Sequence, residues 1–287
     1  MASRIIGTID LSEYTIMDDL NYLNSVVKVA EEYDEFCQGY WQNLSLMNAS
    51  GEAHDSLYRN SKIILPTHHL KKCTEISRII QDNFELTGLK MVRTRNLIDG
   101  MVIPHKDFVE LNKDYNYLRL MIPLQENSQC FNSDEFGVFQ MRPGEIWILD
   151  AAISHAAINF STNSRIFLCL DYAFSVENKN LNIFNKSAKI LMENRHIYIN
   201  RKPMNESDQD HIIEGLSKII SSFTLRDLLF AVSKYHFVYH VPVTAGFDWL
   251  KKAAIIAGDE ESHNKINKLS RYLIEARELG ERFSLTS

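Results

Sequence analysis

The sequence predicts a mixed α and β protein, with a β-sandwich or double-stranded barrel of the jelly-roll kind at its centre and helices around it. Three observations carry that expectation. Between residues 89 and 174, short apolar-alternating runs follow one another with turn residues between them. Before that stretch, apolar residues recur at helical spacing, and after about Glu177 the alternation stops and helical spacing returns. Period-two alternation marks a half-buried strand, and a three-to-four-residue period marks an amphipathic helix. The expected organisation is residues 1–176 as N-terminal helices plus the β core, and residues 177–287 as an α-helical C-terminal domain.

Residues 4–11 alternate weakly and are expected as a strand. Ser12 is placed to cap a helix with Ile16, Leu20, Leu23, Val27 and Ala30 on its apolar face. Residues 31–49 hold Tyr33, Phe36, Tyr40 and Trp41. They are expected as a loop packed on the core, with a lid or pocket wall as the functional alternative. After a turn at Pro66, residues 70–86 read as a helix through Cys73, Ile76, Ile80 and Phe84. Strands are expected at 90–97, 100–104, 117–124, 137–141, 145–149, 155–160 and 165–174, with turns at Asp99-Gly100, Pro143-Gly144 and Ser161-Thr162-Asn163. Thr224 and Asp227 have the spacing of a capping box ahead of Leu228, Leu229 and Val232. Ile266, Leu269, Leu273, Ala276 and Leu279 trace a final helix.

A net charge of -6 argues against nucleic acid or an anionic membrane as partner. No apolar run approaches a membrane span, and residues 1–11 lack a signal-peptide core. Cys37, Cys73, Cys130 and Cys169 are scattered and form no CxxC pair, which suits reduced thiols and a cytoplasmic location. A homodimer is compatible with the chain, which leaves the oligomeric state open.

His105 and Asp107 stand two apart after the apolar run Met101-Val102-Ile103-Pro104, and His155 lies in a later strand region. Two histidines and one carboxylate on one face of a metal leave three positions open, as in non-heme Fe(II) oxygenases. A keto acid fills two and oxygen the third. The far carboxylate of the keto acid then needs a buried cation, and Arg165 follows His155 by ten residues. Arg93 and Arg95 share one strand face, and Arg119 interrupts an apolar strand, which together suggest an anion pocket. Each residue has a plainer reading: His155 as a satisfied core histidine, Arg165 in a surface ion pair, Asp107 as a turn cap. One site accounts for all of them together. His236 and His240 lack the glutamate of an HExxH pair and read as structural, while His54, His68 and His69 read as loop or surface residues. A free amino acid in this pocket also brings an amine, for which Asp34 or Glu35 is a candidate partner.

The chain resembles the bacterial free-proline hydroxylases, above all the proline cis-3-hydroxylases, within the aspartyl/asparaginyl β-hydroxylase group of Fe(II)- and 2-oxoglutarate-dependent dioxygenases. The segments that carry this are EEYDEFCQGYWQN at 31–43, NASG at 48–51, LYRN at 57–60, RTRNL at 93–97, VIPHKDFVEL at 102–111, MRPGEIWILDAAISHAAINFS at 141–161, FDWL at 247–250 and ERFSLT at 281–286. The resemblance implies a double-stranded β-helix (jelly-roll, cupin-like) core with a helical C-terminal part. It implies iron ligands at His105, Asp107 and His155, and Arg165 on the distal carboxylate of 2-oxoglutarate, with Thr94 on the same cofactor side. It implies Arg119 on the substrate carboxylate, assisted by Arg93 or Arg95. The cosubstrates would be 2-oxoglutarate and molecular oxygen, with ascorbate as a candidate reductant. Lys106 departs from the arginine of these relatives, at a position that should point away from the metal. The implied substrate is free L-proline, hydroxylated at C3 on the cis face. L-Pipecolate or another cyclic amino acid, and a cupin-like binding module without turnover, are the alternatives.

Overall fold

The computed structural model describes residues 2–108, 111–178, 182–278, 281 and 283. The strands are β1 (Arg4–Thr8), β2 (Cys37–Asn48), β3 (Leu65–Pro66), β4 (Leu89–His105), β5 (Tyr115–Pro123), β6 (Cys130–Asp134), β7 (Gly137–Phe139), β8 (Glu145–Leu149), β9 (His155–Asn159), β10 (Ile166–Ser175) and β11 (Leu191–Arg195). Helices α1 (Met17–Ser25), α2 (His68–Lys72) and α3 (Thr74–Asn83) precede the main strands, and α4 (Glu206–Ser217), α5 (Leu225–Ser233), α6 (Tyr235–Val238), α7 (Ala245–Ala257) and α8 (Glu260–Ser270) follow them. The main strand order is β11-β1-β8-β5-β10-β4-β9-β6-β7, with β2 joined to β3 and β4. All these pairings are antiparallel. β4 pairs with β10 over its first half and with β9 over its end, so it passes from one wall of the curled sheet to the other. The fold is the expected double-stranded β-helix.

The turn expected at Asp99-Gly100 is instead a bulge within one 17-residue strand. Gln38 and Tyr40 of β2 face Met101 and Ile98 of β4, so β4 carries one extra residue there. Asp99 takes a φ of 42°, and a Cβ on Gly100 would lie 1.8 Å from the Gln38 carbonyl oxygen, which explains the glycine. A second extra residue lies between Val102 and His105, opposite Ala157 and His155. Each extra residue reverses the alternation. Arg93, Arg95 and Leu97 therefore line the site cavities together with Val102 and His105. Met101 and Ile103 turn to the C-terminal helices.

Other expectations are corrected. Residues 37–48 are a strand rather than a loop, and bulges between Gln38 and Tyr40 and between Ser45 and Met47 hide its alternation. The alternative of a pocket wall holds, since Gln42, Asn43, Leu44 and Ser45 line the larger cavity. α1 starts after Ile16, not Ser12, and stops at Ser25, leaving Val27 83% exposed. The 70–86 helix is two helices broken at Cys73, whose φ of -97° and ψ of 79° are not helical. Thr224 makes no side-chain cap; its Oγ1 donates to the Ile219 carbonyl. Leu279 lies outside the described residues. Beyond Glu177 the chain still supplies β11, an edge strand whose Leu191 and Met192 are both exposed, so no alternation announces it.

The C-terminal helices do not keep a core to themselves. Leu229, Phe230, Leu250 and Leu269 share one hydrophobic cluster with Met101, Ile103, Val138 and Ile158 of the strands. Each large side chain so buried stabilises by about 1.5–3 kcal/mol. Deleting residues 177–287 should therefore give aggregated protein on fractionation of the lysate. A soluble and fully active fragment would instead mark the C-terminal part as an independent domain.

Candidate active site

His105 ends β4 and His155 begins β9, and the two are directly paired across the sheet, with ring centroids 4.3 Å apart. Asp107 follows where the chain leaves β4, held by its N–H donating to the Ala151 carbonyl at 2.7 Å. Ligand atoms of the three lie within 4.8 Å of one another, and all three residues are buried. Nδ1 of His105 faces the Ile103 carbonyl at 2.8 Å, and Nδ1 of His155 faces the Ile153 carbonyl at 3.0 Å. A carbonyl can only accept, so each Nδ1 carries the proton and each Nε2 keeps its lone pair. Nε2 of His155 is buried with no hydrogen-bond partner among the described residues. Burial, then the neighbouring His105, lowers the His155 pKa to about 3, so the ring is neutral. Burial alone would raise Asp107, but Arg119 and the two histidines outweigh it and hold the carboxyl well below its ordinary value. Two neutral imidazoles, one carboxylate and an orphaned nitrogen form a donor set that fits Fe(II). Lys106 points away, towards Glu135 at 3.8 Å.

The arginines divide by partner. Nε of Arg119 donates to Asp171 Oδ1 at 2.6 Å, and its Nη1 donates to Oδ2 of Asp107. Nη2 of Arg93 donates to Asp171 Oδ2 at 2.5 Å. Asp171 thus ties two guanidinium groups together, and they lower its pKa to about 2 against the upward push of burial. Arg95 has no hydrogen bond or ion pair among the described residues, and its Nε is buried without a partner. Burial, then repulsion by Arg119, lowers its pKa from the ordinary value. Arg165 is wholly buried. Its Nη2 donates to the Met141 carbonyl at 2.5 Å, and its guanidinium lies 4.0 Å from the Phe167 ring centroid, while Nε and Nη1 have no hydrogen-bond partner among the described residues.

Two cavities share His105 and Arg95. A cleft of ≈ 980 Å³ is lined by His105, Asp107, Arg93, Arg95, Arg119 and Asp171. A second, of ≈ 50 Å³, is lined by His105, His155, Arg95, Trp41, Cys130 and Phe167. Arg165 lines neither cavity: its guanidinium lies against the ring of Phe167, and Phe167 lines the second.

The comparisons match this arrangement. Residues 12–173, more than half of the chain, match the family described as Aspartyl/Asparaginyl beta-hydroxylase, and residues 180–281 match L-proline 3-hydroxylase, C-terminal. L-proline cis-3-hydroxylase 2 of Streptomyces sp is 40% identical over 290 residues, covering 100% of both chains. The chain belongs to the L-proline 3-hydroxylase branch of the aspartyl/asparaginyl beta-hydroxylase family. L-proline cis-3-hydroxylase 1 of Streptomyces sp is likewise 40% identical, over 100% of both chains. The L-proline cis-4-hydroxylase of Rhizobium meliloti is 29% identical over 98% of this chain and 99% of its own. Among solved structures, an oxidoreductase of the 2OG-Fe(II) oxygenase family from Burkholderia pseudomallei matches 46% of this chain and 68% of its own, at 14% identity and a TM-score of 0.33.

In this L-proline 3-hydroxylase family member, the structure brings His105, Asp107, His155, Arg93, Arg95 and Arg119 to one place. It does not bring Thr94 there. Thr94 lies between Arg93 and Arg95 on the opposite strand face, paired with Leu44 and Leu168. Nor is Asp34 on the cleft wall, and neither is Glu35. Oδ1 of Asp34 pairs with Lys28 at 2.6 Å, and its Oδ2 accepts from the Glu31 N–H at 3.1 Å. Arg119 reaches the site, but Asp107 and Asp171 engage it, so it is not a free receptor for substrate. His69 is buried rather than on the surface, with its Nδ1 2.9 Å from the Tyr22 hydroxyl, and burial lowers its pKa to about 4.

Three contributors escaped the sequence reading. Asp171 sits in the apolar run Leu168–Phe174, where only its charge marks it out. Glu31 lies on the cleft wall ahead of β2. The C-terminal segment reaches the metal motif: Lys106 N–H donates to the Leu273 carbonyl at 2.8 Å, and Nη1 of Arg277 donates to the Lys106 carbonyl at 2.9 Å. Tyr272, Leu273 and Arg277 line the cleft, which no periodicity in the final helix could signal.

Proposed function

We propose that this protein hydroxylates free L-proline, chiefly at C3 on the cis face, with Fe(II), 2-oxoglutarate and molecular oxygen, releasing succinate and carbon dioxide. The observation that carries the reading is 40% identity to L-proline cis-3-hydroxylases across the whole of both chains. The lower identity to the cis-4-hydroxylase, 29%, supports C3 over C4.

His105, Asp107 and His155 would hold the iron, which with 2-oxoglutarate and oxygen supplies the oxidising power to hydroxylate an unactivated C–H bond. The chain's own groups orient the participants. The carbonyls of Ile103 and Ile153 fix both imidazoles as neutral donors. Arg119 grips Oδ2 of Asp107 and is itself braced by Asp171. Arg165 offers two unpartnered donors to the distal carboxylate of 2-oxoglutarate. Arg95, the cleft arginine without a carboxylate partner, takes the carboxylate of the substrate, with Arg93 beside it. A buried guanidinium gains most from an anion that meets it in a fork. No protein acid or base is required to move a proton in the central step. Ascorbate as reductant and a cytoplasmic location complete the proposal, the latter supported by four buried free cysteines.

Pipecolate is the second reading, favoured by the size of the cleft, ≈ 980 Å³. One extra methylene alters binding by only about 1–3 kcal/mol. The test incubates the protein with Fe(II), 2-oxoglutarate, ascorbate and either L-proline or L-pipecolate, then resolves the hydroxylated isomers. The expected result is cis-3-hydroxyproline with matching succinate, and a smaller yield from pipecolate. A 4-hydroxylated product alone, or no product from either ring, overturns the assignment.

A further inference from the structure

The arginines account for the carboxylate of an amino acid but leave its ammonium without a partner. Asp34, the acid that the sequence offered, is engaged by Lys28 and by the Glu31 N–H. Glu31 is different. It lines the same cleft as Arg95, His105 and Asp107, and it is half-buried. No cation pairs with it among the described residues. Its Oε1 accepts from the Asn43 N–H at 3.0 Å, and its Oε2 lies 3.5 Å from the Asn43 side-chain nitrogen. A carboxylate has about four acceptor positions, so these two contacts and the capping-box contact with the Asp34 N–H orient it and leave another open. Asn43 is the residue of β2 that pairs directly with Arg95 of β4. The register therefore brings the residue that orients the Glu31 carboxylate opposite Arg95, and Glu31 and Arg95 line the same cleft. Burial raises the Glu31 pKa from its ordinary value, with the Asn43 contacts and Arg93 opposing, as expected of a carboxylate waiting for a positive partner.

We propose that Glu31 receives the ammonium of the substrate and restricts the cleft to amino acids over simple carboxylates. This rests on the reading of the site as an amino-acid hydroxylase. Asn43 and Asp34 are positioning residues: the first turns the carboxylate, and the second holds the backbone of Glu31.

The test measures binding rather than turnover alone. Isothermal titration is run on the metal-loaded protein with 2-oxoglutarate under anaerobic conditions. The two ligands are L-proline and cyclopentanecarboxylate, which keeps the ring and the acid but lacks the amine. The parent protein should bind proline far more tightly than the analogue. Glu31→Gln removes the charge, keeps the shape and should weaken proline by about 10- to 100-fold, the loss of one charge-assisted hydrogen bond. Its affinity for the analogue should be unchanged. Glu31→Asp should restore part of the preference for proline. Equal weakening of both ligands, or unchanged proline binding in Glu31→Gln, overturns the role of Glu31 while the hydroxylase reading stands. Equal affinity of the parent for both ligands also overturns it, whatever the variants do. Failure of the parent to bind or hydroxylate proline overturns both.

Discussion

A protein carrying His155→Ala is expected to lose Fe(II) binding and all detectable turnover while remaining folded. Nε2 of His155 has no partner among the described residues, so the fold gains nothing from that atom. Among the described residues, the one hydrogen bond of the side chain is from Nδ1 to the Ile153 carbonyl at 3.0 Å. Such a bond contributes about 1 kcal/mol, which a folded domain can lose. A metal held by three protein groups cannot spare one. Loss of a mere supporting contact costs up to about 100-fold in metal affinity, so loss of a ligand should cost more. Titration with Co(II), followed by its visible spectrum, reads the site directly, and circular dichroism reads the fold. Parent-like metal affinity and turnover in the folded variant would remove His155 from the ligand set.

Arg165→Ala should raise the concentration of 2-oxoglutarate needed for half-maximal turnover by orders of magnitude. Nε and Nη1 of Arg165 are buried and have no hydrogen-bond partner among the described residues, beside a guanidinium face covered by Phe167. Each charge-assisted hydrogen bond contributes about 1.5–3 kcal/mol, so two are equivalent to roughly 100- to 10,000-fold in affinity. Lysine cannot reproduce the planar fork, so Arg165→Lys should recover only part of the loss. The affinity for proline should change little. An unchanged 2-oxoglutarate requirement would move the clamp to Arg95, which lines both cavities.

Much of the site was legible because its chemistry is local. His105 and Asp107 are two residues apart, and an apolar run fixes the strand that ends on them. What was not legible depends on long-range pairing or on broken alternation. Arg119 reads as a receptor for substrate because its neighbour Asp107 reads as a metal ligand rather than as its ion-pair partner. Its carboxylate partner Asp171 is 52 residues away and meets it only across β5 and β10. Thr94 was placed on the cofactor side against its own parity, since neighbours on a strand face opposite ways. Glu31 carries no signal in the sequence because the bulges of β2 disguise the strand that holds Asn43, which orients its carboxylate. The curled sheet is visible in the alternation of its apolar strands, whereas β11, with Leu191 and Met192 both exposed, shows itself only through its pairing with β1.

The two extra residues of β4 have a consequence for how this chain can change in length. Arg95 and Val102 are seven residues apart and would face opposite ways in a regular strand; they line one cavity because β4 holds an extra residue between them. Val102 and His105, three apart, share it through the second extra residue. Removing Gly100 would leave Asp99 alone opposite Gly39, so the ladder would close as a regular pair and every side chain would keep its face. What would be lost is the local bend and added twist that an extra residue gives a strand. Surface loops absorb insertions and deletions at small cost. Here a position inside the sheet can absorb the loss of one residue, and the spacing in sequence between two site residues is not fixed by the face they share.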